Sequence, residues 1–405
     1  MGVKNYIYIS IRSYVRNLLA RNNRLARIAL DIFHLSCVEN VNISLYGEEQ
    51  KKLLFCYLEF KGVDYENASH ANYLHFLRML QCFKNKNYCI DICYCNDLLS
   101  LNVIQKKKYD VIVGFGSVFK KACKLSSNKD AKKVLFVTEN YPPIVQEKYK
   151  ERLDYFKERH PLLDAKCSPV RDGYYDKECF EVSNSAIVMS SLYNISPMRK
   201  HFKNIFQVNA NVLLNSRYVF NKDSRIKVIN DYKKRFLWFG SSGLIHKGVD
   251  ILLDAFREIN ECEIDFYGVN SEEKVLFNKM RPENAYDCGF VKVQSDDFLR
   301  DVVDKHVFIV MPSCSEGMST AVATCMAHGL IPIVSKESGF DPCDCIIQLA
   351  DCKVETVRKC IADITAMKNK DILDLSEKAY IYAINHFSLD SFESSFMNAL
   401  DGLEV

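Results

Sequence analysis

Two residues in this chain carry the strongest chemical signal, a lysine and a glutamate at equivalent places in two strand–loop–helix units. Lys247 lies in "RFLWFGSSGLIHKGVDILLDAF". There Arg235 to Phe239 read as a strand, Gly240 to Gly243 as a tight loop, and Gly248 onward as a helix. A loop of Gly and Ser between strand and helix offers backbone N–H groups and hydroxyls, here Ser241 and Ser242, to an anion. Lys247 adds a compact positive charge at that mouth, suited to a diphosphate. Glu316 lies in "MPSCSEGMSTAVATCMAHGLIPIVS", just past the apolar run "HVFIVMP". Its carboxylate can accept hydrogen bonds from two hydroxyls, as a sugar presents them. Gly317, Met318, Ser319 and Thr320 follow, and the small members of this run let backbone approach a ligand. A cation for diphosphate and a carboxylate for sugar together suit a nucleotide sugar.

The elements that must position these residues are legible as alternating patterns. Apolar runs at Leu53–Leu58, Tyr88–Tyr94, Tyr109–Val113, Val134–Val137 and Ala186–Met189 alternate with helical segments such as "NYLHFLRMLQCF". After a polar and basic stretch around residues 208–234 the rhythm restarts with "RFLWFG", "EIDFYG", "HVFIVMPS", "LIPIVS" and "CIIQLA". Repeated βα units predict parallel sheets covered by helices. A chain of 405 residues is too long for one ordinary core. The expectation is an α/β chain of two tandem Rossmann-like domains facing a cleft. Residues 46–215 form the first and residues 216–387 the second, and a C-terminal helix over 388–405 packs back on the first. Ligands in such sheets sit at the carboxyl ends of strands.

Residues 1–45 read as a helical extension in which Ile7, Ile11, Tyr14, Leu18, Leu25, Ile28, Ile32 and Leu35 make one apolar stripe. Lys4, Arg12, Arg16, Arg21, Arg24 and Arg27 oppose only Asp31 over residues 1–35. Such a helix suits an anionic membrane surface, and equally suits packing on the protein itself. The net charge of +3 argues for no nucleic-acid partner. No apolar run is long enough to span a bilayer, no secretory signal is evident, and 17 cysteines fit a reducing, cytoplasmic compartment. Cys89, Cys93, Cys95, Cys343 and Cys345 lack zinc-site spacing and read as buried thiols. In "VIVGFGSVFKKA", Phe119 stands at the third glycine position of a dinucleotide fingerprint, so Gly114 and Gly116 read as a tight turn lining the cleft.

"FLWFGSS…HKGVDILLDAF", "FYG", "CGFV", "PSCSEG" and "MAHGLIPIVS…SGFD" together resemble the C-terminal domain of GT-B fold glycosyltransferases, over Arg235 to Asp341. The type is the retaining group known as glycosyltransferase family 4, or glycosyl transferases group 1. The resemblance implies that Lys247 holds the donor diphosphate, that Glu316 contacts the donor sugar, and that Gly240 ends the first strand of the site. It places the turn at Phe290 and Val291 near the nucleotide base. Two positions depart from the pattern. Thr324 stands where the second Glu of the Glu-x7-Glu motif binds ribose, and Ser241 or Ser242 replaces an Arg.

In the first half, the resemblance gives the acceptor side to the loop and helix at His70 and Asn72, with surface or capping roles as the structural alternative. Glu139 and Asn140, at the end of another strand, also face the cleft. The implied reaction moves a sugar from a UDP- or GDP-sugar to a glycan or lipid-linked glycan, with retention and without metal or other cofactor, as in bacterial surface polysaccharide biosynthesis. Catalysis falls to Lys247 and Glu316. Two other readings stand beside it: a non-catalytic partner protein of the same fold, and a nucleotide-sugar epimerase, for which no convincing acid/base pair is evident.

Overall fold

A computed structural model describes residues 37–43, 49–58, 71–165 and 174–405. The expected amphipathic helix over residues 1–35 and the acceptor-side candidate His70 lie outside the described residues. Residues 37–41 lie within the stretch expected to be a helical extension, yet they form a strand. Among the described residues, thirteen strands build two sheets. The first holds β1 (Cys37–Val41), β2 (Lys52–Tyr57), β3 (Cys89–Tyr94), β4 (Val111–Gly114), β5 (Lys132–Val137), β6 (Ser185–Val188) and β7 (Asn204–Gln207). The second holds β8 (Arg235–Phe239), β9 (Glu263–Tyr267), β10 (Ala285–Gly289), β11 (Phe308–Met311), β12 (Ile331–Ser335) and β13 (Ile347–Leu349).

Strand order in the first sheet is β1-β3-β2-β4-β5-β6-β7, parallel throughout except for β1, which runs antiparallel on the edge beside β3. The second sheet is wholly parallel, in the order β10-β9-β8-β11-β12-β13. That is the doubly wound order in which the winding reverses between the first and fourth strands, here β8 and β11. The loops after these two strands part at the sheet edge. They carry Gly240 to Lys247 and Pro312 to Glu316 respectively.

Each sheet owns a core, because strands covered on both faces by helices bury nearly every side chain. Trp238, Phe236 and Phe256 anchor the second, while Phe55, Phe83, Phe115 and Phe136 anchor the first. Two segments break the correspondence between chain order and core. Phe392, Phe396 and Leu400 of the last helix, Leu389–Gly402, complete the core of the first sheet. Conversely the helix Pro142–Arg159, which follows β5, buries Phe156 in the core of the second sheet. Its buried residues Pro142, Val145, Tyr149, Arg152 and Phe156 fall at alternating three- and four-residue steps, a single stripe on an α-helix.

The chain passes between the sheets over residues 208–221 and again at Phe387–Ser388. The two crossings touch, since the Val212 N–H donates to the Phe387 carbonyl at 3.0 Å. Buried histidines grip the first crossing on both sides. His75 Nε2 accepts from the Asn211 N–H at 3.0 Å, and His328 Nε2 accepts from the Asn215 N–H at 3.1 Å. His328 Nδ1 then donates to the Thr324 carbonyl at 2.7 Å. Burial holds this imidazole neutral, with its pKa lowered to about 4. Cys89, Cys93, Cys95 and Cys345 are buried and Cys343 is half-buried. No described helix is long and apolar enough to cross a membrane.

Candidate active site

The ends of β8 and β11 open onto a cavity of about 350 Å³ between the two sheets. Volumes of this order suit small-molecule sites. Gly240, Ser241 and Lys247 border it from the β8 side; Glu316, Met318, Ser319, Thr320 and Thr324 border it from the β11 side. Phe290 and Val291, after β10, close one end. Asn72 and Glu139 face them from the first sheet, together with Thr138 and Met189. Most residues singled out in the sequence thus meet around one space, although they span residues 72 to 324.

Five do not border it. Ser242 lies beyond the cavity rim. Gly317 lies against the opposite domain, where a β-carbon would stand 1.9 Å from the Thr138 carbonyl oxygen. Its own carbonyl accepts from Ser190 Oγ and Asn194 Nδ2. Asn140 is buried as part of the scaffold. Its Oδ1 accepts from the Tyr141 N–H at 2.7 Å and its Nδ2 donates to Asn194 Oδ1 at 3.1 Å. Gly114 and Gly116 pack on backbone at Cys56 and Cys95 and do not line the cleft.

Within the cavity, Lys247 Nζ stands 3.8 Å from Glu316 Oε1, and each side chain is 18% exposed. His246 Nε2 approaches the same carboxylate oxygen at 3.4 Å. Ser313 Oγ lies 3.5 Å away. The carboxylate is therefore aimed by neighbours from both loops while staying open to the cavity. The loop that carries Glu316 is pinned from behind by the end of β12. Its N–H donates to the Glu337 carbonyl at 2.9 Å, and Ser335 Oγ donates to the Ser313 carbonyl at 2.6 Å. Ser338 Oγ donates to the Met311 carbonyl at 3.1 Å.

Gly248 permits the turn that presents Lys247, with φ of 72° and no room for a β-carbon, which would lie 2.6 Å from the Pro312 carbonyl oxygen. The helix begins one residue later, at Val249.

The glycine-serine loop departs from expectation in one respect. Part of its N–H set is not offered to a ligand. The Gly243 N–H reaches the Glu273 carboxylate at 3.0 Å, the Leu244 N–H reaches it at 2.8 Å, and the Gly240 N–H donates to the Tyr267 carbonyl. Glu273, at the start of the helix Lys274–Met280, occupies the place an anion would take. What remains for a diphosphate on this side is Lys247 and Ser241, which border the cavity. Thr324 offers a hydroxyl at the far wall, and Phe290 presents a ring 72% exposed beside it. His246 went unremarked in the sequence even though it adjoins Lys247, because a lone imidazole beside a lysine carries no pattern of its own.

Comparison with known proteins agrees with this arrangement. Residues 233–355, which contain both Lys247 and Glu316, match the family model for glycosyl transferases group 1. Among curated protein sequences none matches. Among solved structures, HepE from Anabaena in complex with UDP and glucose superposes with a TM-score of 0.55 at 11% identity, covering 87% of this chain and 100% of that one. Sucrose-phosphate synthase from Thermosynechococcus elongatus gives 0.57 at 11% identity, covering 88% and 99%. WaaG, a glycosyltransferase involved in lipopolysaccharide biosynthesis, gives 0.54 at 13% identity, covering 86% and 100%. The chain therefore has the GT-B fold, and the segment holding its Lys–Glu pair matches the group 1 glycosyl transferases.

Proposed function

We propose that this protein is a glycosyltransferase that takes a sugar from a nucleoside diphosphate sugar, a UDP- or GDP-sugar, and passes it with retention to a hydroxyl of a glycan or lipid-linked glycan. The observation that carries the proposal is the Lys247–Glu316 pair, 3.8 Å apart in one cavity at the switch point of the second sheet. In the free protein the two charges satisfy each other. A bound donor separates these roles: Lys247 turns to the diphosphate, whose negative charge grows as the glycosidic bond breaks, and Glu316 accepts hydrogen bonds from sugar hydroxyls.

Electrostatic stabilisation of the leaving group by a fixed cation is the kind of term that accelerates such a step most. The acceptor hydroxyl enters from the side lined by Asn72 and Glu139 and attacks the anomeric carbon on the face the diphosphate leaves, passing its proton to the departing diphosphate oxygen. No protein nucleophile takes part, and Lys247 supplies the positive charge in place of a metal. Closing the cleft excludes water and disfavours donor hydrolysis. A role in bacterial surface polysaccharide assembly, on the cytoplasmic side of the membrane, extends the same proposal.

Thermal stabilisation by UDP, GDP, ADP and CMP and their sugar conjugates tests it, in wild type and in Lys247→Ala. A ligand at about 100 times its Kd stabilises by roughly 2.7 kcal/mol. Stabilisation by one nucleotide family that the variant loses supports the reading; no stabilisation by any of them removes it. A second reading, a partner protein that binds without turnover, is favoured by Thr324 standing where the family has Glu, and Ser241 or Ser242 where it has Arg. Turnover of any donor by the purified protein excludes it.

A further inference from the structure

The helix Pro142–Arg159 belongs in sequence to the first sheet, yet its inward stripe reaches the loops that carry the Lys–Glu pair. Arg152 is 4% exposed. Its Nη1 donates to the Ile245 carbonyl at 3.1 Å and its Nη2 donates to the Pro312 carbonyl at 2.8 Å. Ile245 is two residues before Lys247, and Pro312 is four residues before Glu316. One guanidinium thus ties together the two loops whose separation sets the distance between the pair. One turn earlier, Tyr149 stacks on the His246 ring with centroids 4.7 Å apart and planes at 17°. His246 in turn approaches Glu316 Oε1 at 3.4 Å.

We infer that Arg152 is a positioning residue for the donor site, a clamp reaching across from the acceptor-side domain that fixes Lys247 relative to Glu316. Three features make the clamp specific to arginine. Its planar fork reaches two carbonyls with fixed geometry, which a lysine ammonium does not reproduce. Its charge lies near the buried Asp250, which sits in the first turn of the helix behind Lys247 and has its own ion pair with Arg159. Gly248 leaves it space, since a β-carbon there would lie 3.1 Å from Nη1. Arg152 does not border the cavity, so any effect on a ligand passes through the loops it holds.

The inference rests on the donor-site reading above, and the test separates the two. Wild type, Arg152→Met and Arg152→Lys are compared by calorimetric titration with UDP and GDP, and by the ring ¹³C resonance of His246 in the ligand-free protein. Arg225→Met is the control for loss of a buried arginine, because Arg225 also donates to backbone carbonyls, those of Val303 and Val307, away from the cavity.

The expected result is that Arg152→Met binds the nucleotide at least tenfold more weakly and shifts the His246 resonance. Arg152→Lys recovers only part of both, and Arg225→Met loses thermal stability while keeping wild-type affinity. Unchanged affinity and an unmoved His246 signal in Arg152→Met overturn the clamp. If wild type binds neither nucleotide but the His246 resonance still moves in Arg152→Met and not in Arg225→Met, the donor reading falls and the clamp on the loops stands. If Arg152→Met is too unstable to titrate, the Arg152→Lys resonance decides: a wild-type position overturns the clamp, a shifted one upholds it.

Discussion

Gly317 and Thr138 meet so closely that a β-carbon on Gly317 would stand 1.9 Å from the Thr138 carbonyl oxygen. Gly317 follows Glu316 and Thr138 precedes Glu139, so donor-side and acceptor-side loops press together at this point. Thr138 and Glu316 both border the cavity, so this contact sets the spacing of the two loops beside it. Gly317→Ala is expected to push the domains apart, lowering stability by about 1–3 kcal/mol as overpacked sites do and weakening nucleotide binding at the same time. Urea denaturation paired with a UDP titration checks both effects on one sample.

Lys247 and Glu316 should separate in their kinetic signatures. Lys247→Ala is expected to lower kcat by about 10²- to 10³-fold, the usual consequence of removing one group that stabilises developing negative charge. Glu316→Gln keeps the shape and a carbonyl acceptor, so it should cost less than Glu316→Ala. Steady-state rates of donor consumption with each variant measure the order.

Phe290 has a 72% exposed side chain and nothing to lose in the folded state. Phe290→Ala should leave the thermal midpoint unchanged and weaken nucleotide binding by about 1–3 kcal/mol if the ring stacks on the base. An unchanged Kd would place the base elsewhere.

His328 gives a pH dependence of definite sign. Folding lowers its pKa from 6.5 to about 4, because burial disfavours the imidazolium. The unfolded chain therefore binds the proton more readily than the folded one between those values. Stability from this site is complete above pH 6.5 and is lost as the pH falls towards 4, by about 3 kcal/mol in total. Protonation also breaks the Asn215–His328 hydrogen bond that holds the interdomain crossing. Urea midpoints from pH 7.5 to 4.5 should fall in wild type and lose much of that slope in His328→Gln.

Asp265 carries a buried network beneath the second sheet, accepting from Arg235 Nε at 3.0 Å and facing His306 Nε2 at 3.0 Å. Its pKa is lowered: burial opposes the charge, but the His306 hydrogen bond and the positive charges overcome it. Asp265→Ala leaves His306 Nε2 without this partner and Arg235 with Glu263, 3.7 Å away, for which a loss of about 1–3 kcal/mol is expected. Denaturant unfolding is the measurement, and a change under 1 kcal/mol would show that Arg235 and His306 find other partners.

The sequence by itself determined the alternation of strands and helices, the two-domain architecture, and the presence of Lys247 and Glu316 at matching strand ends. All of these follow from local backbone patterns and covalent order. The shallow ends of that pattern were missed: β1, β7 and β10 are short strands at or near sheet edges with exposed or half-buried residues, so they lack an apolar run to announce them.

Asn140 read as a cleft residue because it follows a strand, and only packing shows its amide spent on Tyr141 and Asn194. Likewise the Gly240–Gly243 loop read as an anion site, and only packing shows Glu273 folded against the Gly243 and Leu244 N–H groups. Arg152 is the clearest case. Its two carbonyl partners lie 93 and 160 residues away along the chain. No periodicity encodes a contact of that range. It exists because the helix carrying Arg152 leaves its own sheet and buries Phe156 in the core of the other.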